Sequence, residues 1–409
     1  MKPMNWFAIS VLLLLVACEK QNGDPVPSVE NPLSDSTGTE VFSTEGDSMK
    51  LDFAETFSAV QRGDMWVVDL KASITSWGGD ATGPEQRARM LLVPKGSAIP
   101  PLDGDLEGAQ VIQIPVERIA VNLAPFEAML TALDVDDRLV AVGGPKSYND
   151  AIRQRVSDGE LAQIGYGWHM PPVLDALLGA EPDVLLMAMG DLSHTSQMDR
   201  IRELGVQVFP MFMSSEPHYM GRVEYIRLLG LLTGRNEEAS DYVSMVAGKV
   251  AALKASVTDL SPKSLISSWY SGSGRWMATV RNSEAALLRD ANGLNLLEEA
   301  DDPRQDDVQK LSTEQLILKA ADADCAIFRD SHSQAFRDKK TLEQFRAYRN
   351  GCVYAIDGMV KPEADAYDYY ESAVIRPDLV LRDLVNMLHP ELRGDDPFLY
   401  IQPDEQLYD

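Results

Sequence analysis

Cysteine is scarce in this chain, three residues among 409. No Cys-x-x-Cys pair and no Cys/His cluster occurs, which excludes zinc modules and dithiol redox centres of recognised spacing. Histidine numbers only 5, and Lys plus Arg total 37 against 63 Asp plus Glu, a formal charge of −26. Such a surface repels phosphate backbones, so nucleic acid is not an expected partner. After the first eighteen residues no stretch approaches the roughly 20 apolar residues that a spanning helix requires. Signatures of catalysis are missing as well. Ser271-Gly-Ser-Gly274 does not match the Gly-x-Ser-x-Gly elbow. Neither Val142-Gly-Gly-Pro145 nor Gly165-Tyr-Gly167 supplies Gly-x-Gly-x-x-Gly, and there is no phosphate loop. Acidic pairs are too plentiful in so acidic a chain to carry information. The chain does not read as an enzyme, and no cofactor is expected.

What is present begins at residue 2. Lys2, an apolar run over residues 7–17 and the ending Leu15, Val16, Ala17, Cys18 follow the layout of a secretory signal. The ending resembles the lipobox of bacterial lipoproteins, in which the cysteine is acylated. Cys18 would then carry enough hydrocarbon for stable anchoring, which a single chain does not supply. An ordinary cleaved signal with an incidental cysteine is the plainer alternative. Either way the expected location is extracytoplasmic, in the periplasm or at the cell surface, and with Cys18 acylated the protein is lipid-anchored to a membrane. Residues 19–48 are rich in Pro, Ser, Thr, Asn, Asp and Glu and read as a disordered spacer.

The remainder holds enough apolar residues, 45% of the whole chain, for sizeable cores. Residues 49–110 carry short β-like runs, at 64–70 and 87–93, separated by a Gly-rich stretch. Residues 111–235 alternate short apolar strands with helices, the pattern of a parallel sheet covered on both faces. Pro171 and Pro172 suit the first turn of one of these helices, and another is expected over residues 219–232. Residues 236–257 read as one long helix, with Ala239, Val243, Val246, Val250 and Leu253 at helical spacing. Residues 258–409 repeat the alternation, including a helix over 342–348. The expected architecture is α/β: two Rossmann-like lobes with mostly parallel sheets, joined by a single long helix, with a cleft between them and a small N-terminal β extension. Cys325 and Cys352 lie near the starts of two strands; an exported compartment permits a disulfide, and two buried thiols are the other arrangement allowed.

That order resembles the ABC-transporter substrate-binding proteins of the iron-siderophore and cobalamin type, which have the class III periplasmic-binding fold. Val116-Glu-Arg-Ile-Ala-Val121, with residues 130–140, is similar to the first strand and helix of that family's N-terminal lobe. Residues 175–185, containing Pro182-Asp-Val184, resemble a helix and strand of the same lobe, and Leu311-Ser-Thr-Glu-Gln-Leu316 a helix start in the other. Residues 370–384 and 389–392 resemble a subgroup with an N-terminal β extension. The resemblance implies a protein that captures a ferric siderophore, or alternatively cobalamin or haem, and delivers it to an ABC permease driven by ATPase subunits. It also implies permease docking through one carboxylate per lobe, at Asp175 and Glu314. The family usually has glutamate at the first position, where this chain has aspartate. A first-turn carboxylate is also favoured simply by the helix dipole.

Ligands of open parallel sheets bind beyond the carboxyl ends of the strands. On that ground the ligand-binding candidates are Trp168, His194, Tyr270, Arg275, Trp276, Arg329, Tyr367 and Tyr369. The aromatics suit a flat or macrocyclic ligand, and the arginines an anionic chelate. His169, His194, His218 and His332 form an alternative set for direct metal binding, although no histidine follows the first strand at Asn122 as in the family's metal-ion branch. Alternating Met187, Met189, Met211 and Met213 read as core.

Overall fold

In the computed structural model, which describes residues 46–75, 82–167, 171–271, 275–298, 308–329 and 339–408, alternation of apolar and polar residues builds the first sheet. Strands β1 (Asp47–Ser48), β2 (Phe57–Arg62), β3 (Met65–Thr75), β4 (Thr82–Pro94) and β5 (Gln110–Ile114) lie side by side in chain order. Neighbours are antiparallel except β4 and β5. Along β3, Val68, Leu70, Ala72 and Ile74 are buried while Lys71, Ser73 and Thr75 are exposed, the period of two of a half-buried strand. Pairing continues outward to Thr75 opposite Thr82, so the hairpin is longer than residues 64–70 and 87–93 suggested. Two buried carboxylates tie this extension to the following lobe. Glu224 accepts the amides of Asp52, Phe53 and Ala54 at 2.8, 3.0 and 2.7 Å. Glu216 accepts those of Glu55 and Thr56 at 3.0 and 2.9 Å.

The first lobe is a wholly parallel sheet of β6 (Ile119–Val121), β7 (Leu139–Val142), β8 (Ala162–Gln163), β9 (Val184–Ala188) and β10 (Val208–Met211), in the order β10-β9-β6-β7-β8. Central strands β6 and β9 are buried throughout, as a sheet covered on both faces requires. The covering helices are α1 (Ala124–Ala132), α2 (Asp150–Ser157), α3 (Leu174–Gly179) and α4 (Ser193–Glu203). Helix α3 starts at Leu174, so Pro171 and Pro172 precede it and do not occupy its first turn. The helix expected over 219–232 is divided into α5 (Tyr219–Glu224) and α6 (Ile226–Thr233). Gly234 ends α6 with φ of 77°, and the Arg235 amide reaches back to the Gly230 carbonyl at 2.9 Å. This is the left-handed stop that glycine takes without steric cost.

Helix α7 (Asn236–Val257) follows, 22 residues and roughly 33 Å long at about 1.5 Å per residue. Ala239, Val243, Val246, Val250 and Val257 form its buried stripe. The second sheet contains β11 (Lys263–Tyr270), β12 (Trp276–Thr279), β13 (Gly293–Asn295), β14 (Val308–Leu311), β15 (Cys325–Phe328) and β16 (Val353–Ala355). Strands β13, β15 and β16 join the β11 system in parallel; β12 and β14 add an antiparallel flank. A small hairpin, β17 (Val360–Lys361) and β18 (Ala366–Tyr367), follows, and β19 (Gln402–Pro403) closes the sheet antiparallel to β16. The helices here are α8 (Ser283–Asp290), α9 (Thr313–Ala320), α10 (Lys339–Leu342), α11 (Arg346–Arg349) and α12 (Pro377–Leu388). The helix expected over 342–348 is broken because Phe345 is extended and buries its ring against Phe328, centroids 6.1 Å apart. Cys325 and Cys352 form a disulfide with Cα atoms 4.8 Å apart, which resolves the alternatives left open by the sequence.

Candidate functional site

The carboxyl ends of the first lobe's strands meet the second lobe through α5. Tyr219, at the start of α5, donates its hydroxyl to Asp290 at the end of α8. Lys254 of α7 pairs with the same Asp290 at 2.9 Å. One helical turn beyond Tyr219, Arg222 faces a group of second-lobe side chains: its charge interacts with Tyr369 and Arg329. Burial is the main cause that pushes the Arg222 guanidinium down to about 10, and the like charge of Arg329 acts in the same direction. Among the described residues its side chain makes one long bond, 3.4 Å from Nη2 to the Ser214 carbonyl, and no ion pair; Glu216 attracts it at longer range.

Arg329 stands immediately after β15 and is differently placed. It is ion-paired with Glu284 of α8, donates to Thr279 Oγ1 at 3.0 Å and lies 4.7 Å above the Trp269 ring. Ser267 and Thr279 donate to the same Glu284 at 2.6 and 3.2 Å. Tyr369 lies between the two arginines in electrostatic terms. Burial raises its phenol, while Arg329 and Arg222 draw it back. Its ring meets Tyr370 edge-on at 5.6 Å, and Tyr370 in turn meets Tyr367 at 6.4 Å. The tertiary structure thus groups Arg222, Arg329 and Tyr369, with Tyr367 alongside.

Other candidates go elsewhere. Trp276 is 1% exposed, donates Nε1–H to Thr313 at 3.0 Å and packs on Phe328 at 5.7 Å, so it belongs to the second lobe's core. Tyr270, half-buried, packs edge-on against it at 5.6 Å. Arg275 is exposed, and its carbonyl accepts the Ser271 amide at 2.9 Å. His194 is buried at the start of α4, and its Nδ1 accepts the Gly190 and Asp191 amides at 3.0 and 3.2 Å. Burial also lowers its pKa, so it is a neutral brace for its loop. His218 caps α5, its Nδ1 accepting from Met220 at 3.1 Å, and stacks between Phe53 and Tyr219 at 4.9 and 4.3 Å. Burial lowers its pKa too. Trp168, His169, His332 and Cys18 lie outside the described residues. Among the described residues no three His, Cys, Asp or Glu side chains are grouped to hold a metal.

Asp175 and Glu314 are both exposed in the first turn of their helices, α3 and α9. Helix α9 has a complete capping box between Ser312 and Gln315. Glu314 is held below the usual carboxylate range by its own amide and by the Ser312 hydroxyl at 2.8 Å. Leu318, one turn further along, is 87% exposed, and Val173 and Leu178 flank Asp175 at 51% and 39%.

Two α/β lobes bridged by one long helix, with charged and aromatic side chains from both meeting at their junction, define a solute-binding architecture. The chain belongs to the periplasmic binding protein family, whose model matches residues 119–359, more than half of its length. An uncharacterized lipoprotein of Methanocaldococcus jannaschii is 24% identical over 326 residues, covering 76% of this chain and 74% of the relative. A periplasmic haem-binding protein from Pseudomonas aeruginosa has a similar fold, with TM-score 0.54, 17% identity and coverage of 70% and 98%. An ABC transporter substrate-binding protein from Listeria monocytogenes follows at TM-score 0.50, 16% identity and coverage of 67% and 99%. Arg222 was not among the candidates read from sequence. It lies outside the loops that follow the strands, in a six-residue helix whose other residues are all buried.

Proposed function

We propose that this protein is the extracytoplasmic solute-binding component of an ABC importer, anchored through an acylated Cys18, and that its ligand is a ferric siderophore bearing negative charge. The supporting observation is Arg222, a half-buried arginine that forms no ion pair among the described residues and has only the longer-range attraction of Glu216, facing Tyr369 and the already neutralised Arg329. A cation in that state is costly, and an anionic ligand would relieve the cost through charge-assisted hydrogen bonds. Asp175 and Glu314, each beside exposed apolar side chains, would dock the two lobes on the permease. The protein would perform no chemistry; ATP hydrolysis belongs to partner subunits. In this reading the spacer expected over 19–48 ends before β1 and the extension expected over 49–110 runs on through β5, since both strands pair within its sheet, and 236–257 links the lobes expected over 111–235 and 258–409.

Haem is the second reading, favoured by Tyr369 among the site residues and by the haem-binding fold neighbour. Native mass spectrometry of the tag-free protein from its own host's envelope tests both. A retained iron chelate of siderophore mass supports the first reading and bound haem the second; a bare metal ion overturns both.

A further inference from the structure

Two acids meet where the segment after β16 lands on the first lobe. Glu127, on α1, is 1% exposed, and among the described residues neither of its carboxylate oxygens has a close hydrogen-bond partner, although the Ser147 hydroxyl lies near enough to favour its ionised form. Its negative charge is opposed by that of Glu371, also buried, whose Oε1 and Oε2 accept the Tyr148 amide at 2.7 and 2.8 Å. The Ser147 hydroxyl is turned to Glu371 at 3.4 Å. Helix α1 packs directly on the turn Ser372–Val374 that follows Glu371.

The surrounding charges are otherwise engaged. Arg153 of α2 donates to the carbonyls of Ser147 and Tyr148 at 2.7 and 3.1 Å and favours an ionised Glu371, while Asp368 opposes it. Lys361 is held by Asp150 and the Tyr148 carbonyl at 2.7 and 2.8 Å, and Lys146 by Asp365. The Tyr166 hydroxyl accepts the Lys146 amide at 2.8 Å and senses Glu127, Glu371 and Asp365. No cation forms an ion pair with Glu127 or Glu371 among the described residues. Two buried carboxylates with no ion-pair partner and only the longer-range charge of Arg153 do not both ionise cheaply. Glu371 has amide donors for a negative charge, so the shared proton belongs on Glu127.

We propose that Glu127 and Glu371 form a one-proton clasp between the first lobe and the Tyr369-bearing segment, a clasp that takes up a proton when it forms and loosens when that proton leaves. Burial is the main cause that lifts Glu127 to about 8 and Glu371 to about 7 from the ordinary 4.5. Both values are raised, so the clasped state binds more protons than the open one. Its stabilisation is complete below the ordinary carboxyl value, declines above it, and is lost as pH passes through about 7 to about 8. With one proton coupled, the opening constant rises by up to tenfold per pH unit in that window. Asp368 and Glu371 flank Tyr369 closely in sequence, so an open clasp frees Tyr369 from its place beside the arginines. This last step alone rests on the ligand site proposed above.

The test is amide hydrogen exchange at Tyr148 in the ligand-free full chain, corrected for intrinsic rates, from about pH 6 to about pH 9. Protection should fall by up to tenfold per pH unit between about 7 and about 8 in the wild type, whereas in Glu127→Gln, which leaves Glu371 alone to titrate, it should level off above about 7. A flat wild type, or a Glu127→Gln slope equal to that of the wild type, overturns the clasp. Infrared spectroscopy of the unmutated protein keeps the question decidable where the variant does not fold. A protonated-carboxyl stretch that titrates at about 8 supports the clasp, and its absence at neutral pH overturns it. Ferric-chelate affinity should follow the exchange slope; exchange that titrates while affinity does not keeps the clasp and overturns Tyr369 as a ligand residue.

Discussion

Arg222 and Arg329, one from each lobe, address the same phenol at Tyr369, yet only Arg329 has a carboxylate of its own, Glu284. The two arginines are therefore not equivalent. Arg329 with Glu284 is a structural pair that also presents one face to the junction. Arg222 has only the longer-range attraction of Glu216, whose oxygens are taken by the Glu55 and Thr56 amides.

Replacement of Arg222 by Gln should weaken binding of an anionic ferric chelate by about 10- to 100-fold, the worth of a charge-assisted hydrogen bond of roughly 1.5–3 kcal/mol, with little change in melting temperature. Arg329→Gln should cost stability as well, on the order of 1.5–3 kcal/mol, because the half-buried Glu284 loses its ion pair and keeps only the Ser267 and Thr279 hydroxyls. Fluorescence-quenching titration alongside thermal unfolding separates the two. Equal stability losses would contradict the distinction.

Charge reversal at Glu314 should abolish ligand uptake in cells while affinity measured on the purified protein is retained. Asp175→Lys should act in the same direction, and Leu318→Ser should reduce uptake without touching binding, since that side chain is 87% exposed. Loss of affinity in any of the three would argue against a docking role.

Reduction of the Cys325–Cys352 bond should lower stability by roughly 3–4 kcal/mol on the chain-entropy account, given a sequence separation of 27. Calorimetry of Cys352→Ser against the oxidised wild type measures it. A Cys352→Ser transition that coincides with that of the oxidised wild type would mean that the bond does not constrain the unfolded chain.

Glu224→Ala removes the acceptor of three amides, at Asp52, Phe53 and Ala54. The bonds are only partly buried, and each hydrogen bond to a charged acceptor is worth about 1.5–3 kcal/mol. Hydrogen exchange should therefore accelerate in residues 46–62 while β6 and β9 remain protected. Uniform acceleration across the first lobe would instead make the extension an integral part of its core.

The α/β alternation was legible because buried parallel strands such as β9 are short unbroken apolar runs, and helix α7 advertises its stripe through five apolar positions. The start of α9 was read only through the family resemblance of residues 311–316, although the spacing of Ser312 and Gln315 is itself that of the capping box the structure forms. The site was legible only in part. Arg329 and Tyr369 follow the rule that places ligands beyond strand ends, but the same rule nominated Trp276, which turns inward to Thr313 and Phe328. His194 was nominated for its position, while its Nδ1 is spent on two amides of its own loop.

By itself the sequence determined which segments become strands and helices, their order, and hence the two-lobed α/β class. Periodicity and capping depend on residues a few positions apart, and these are visible in any linear reading. Only the tertiary structure decided which side chains face one another: Glu224 with Asp52, 172 residues apart, Arg222 with Tyr369, and Glu127 with Glu371. Those meetings are set by how distant elements pack, and burial then fixes what each charge costs. No local pattern encodes either.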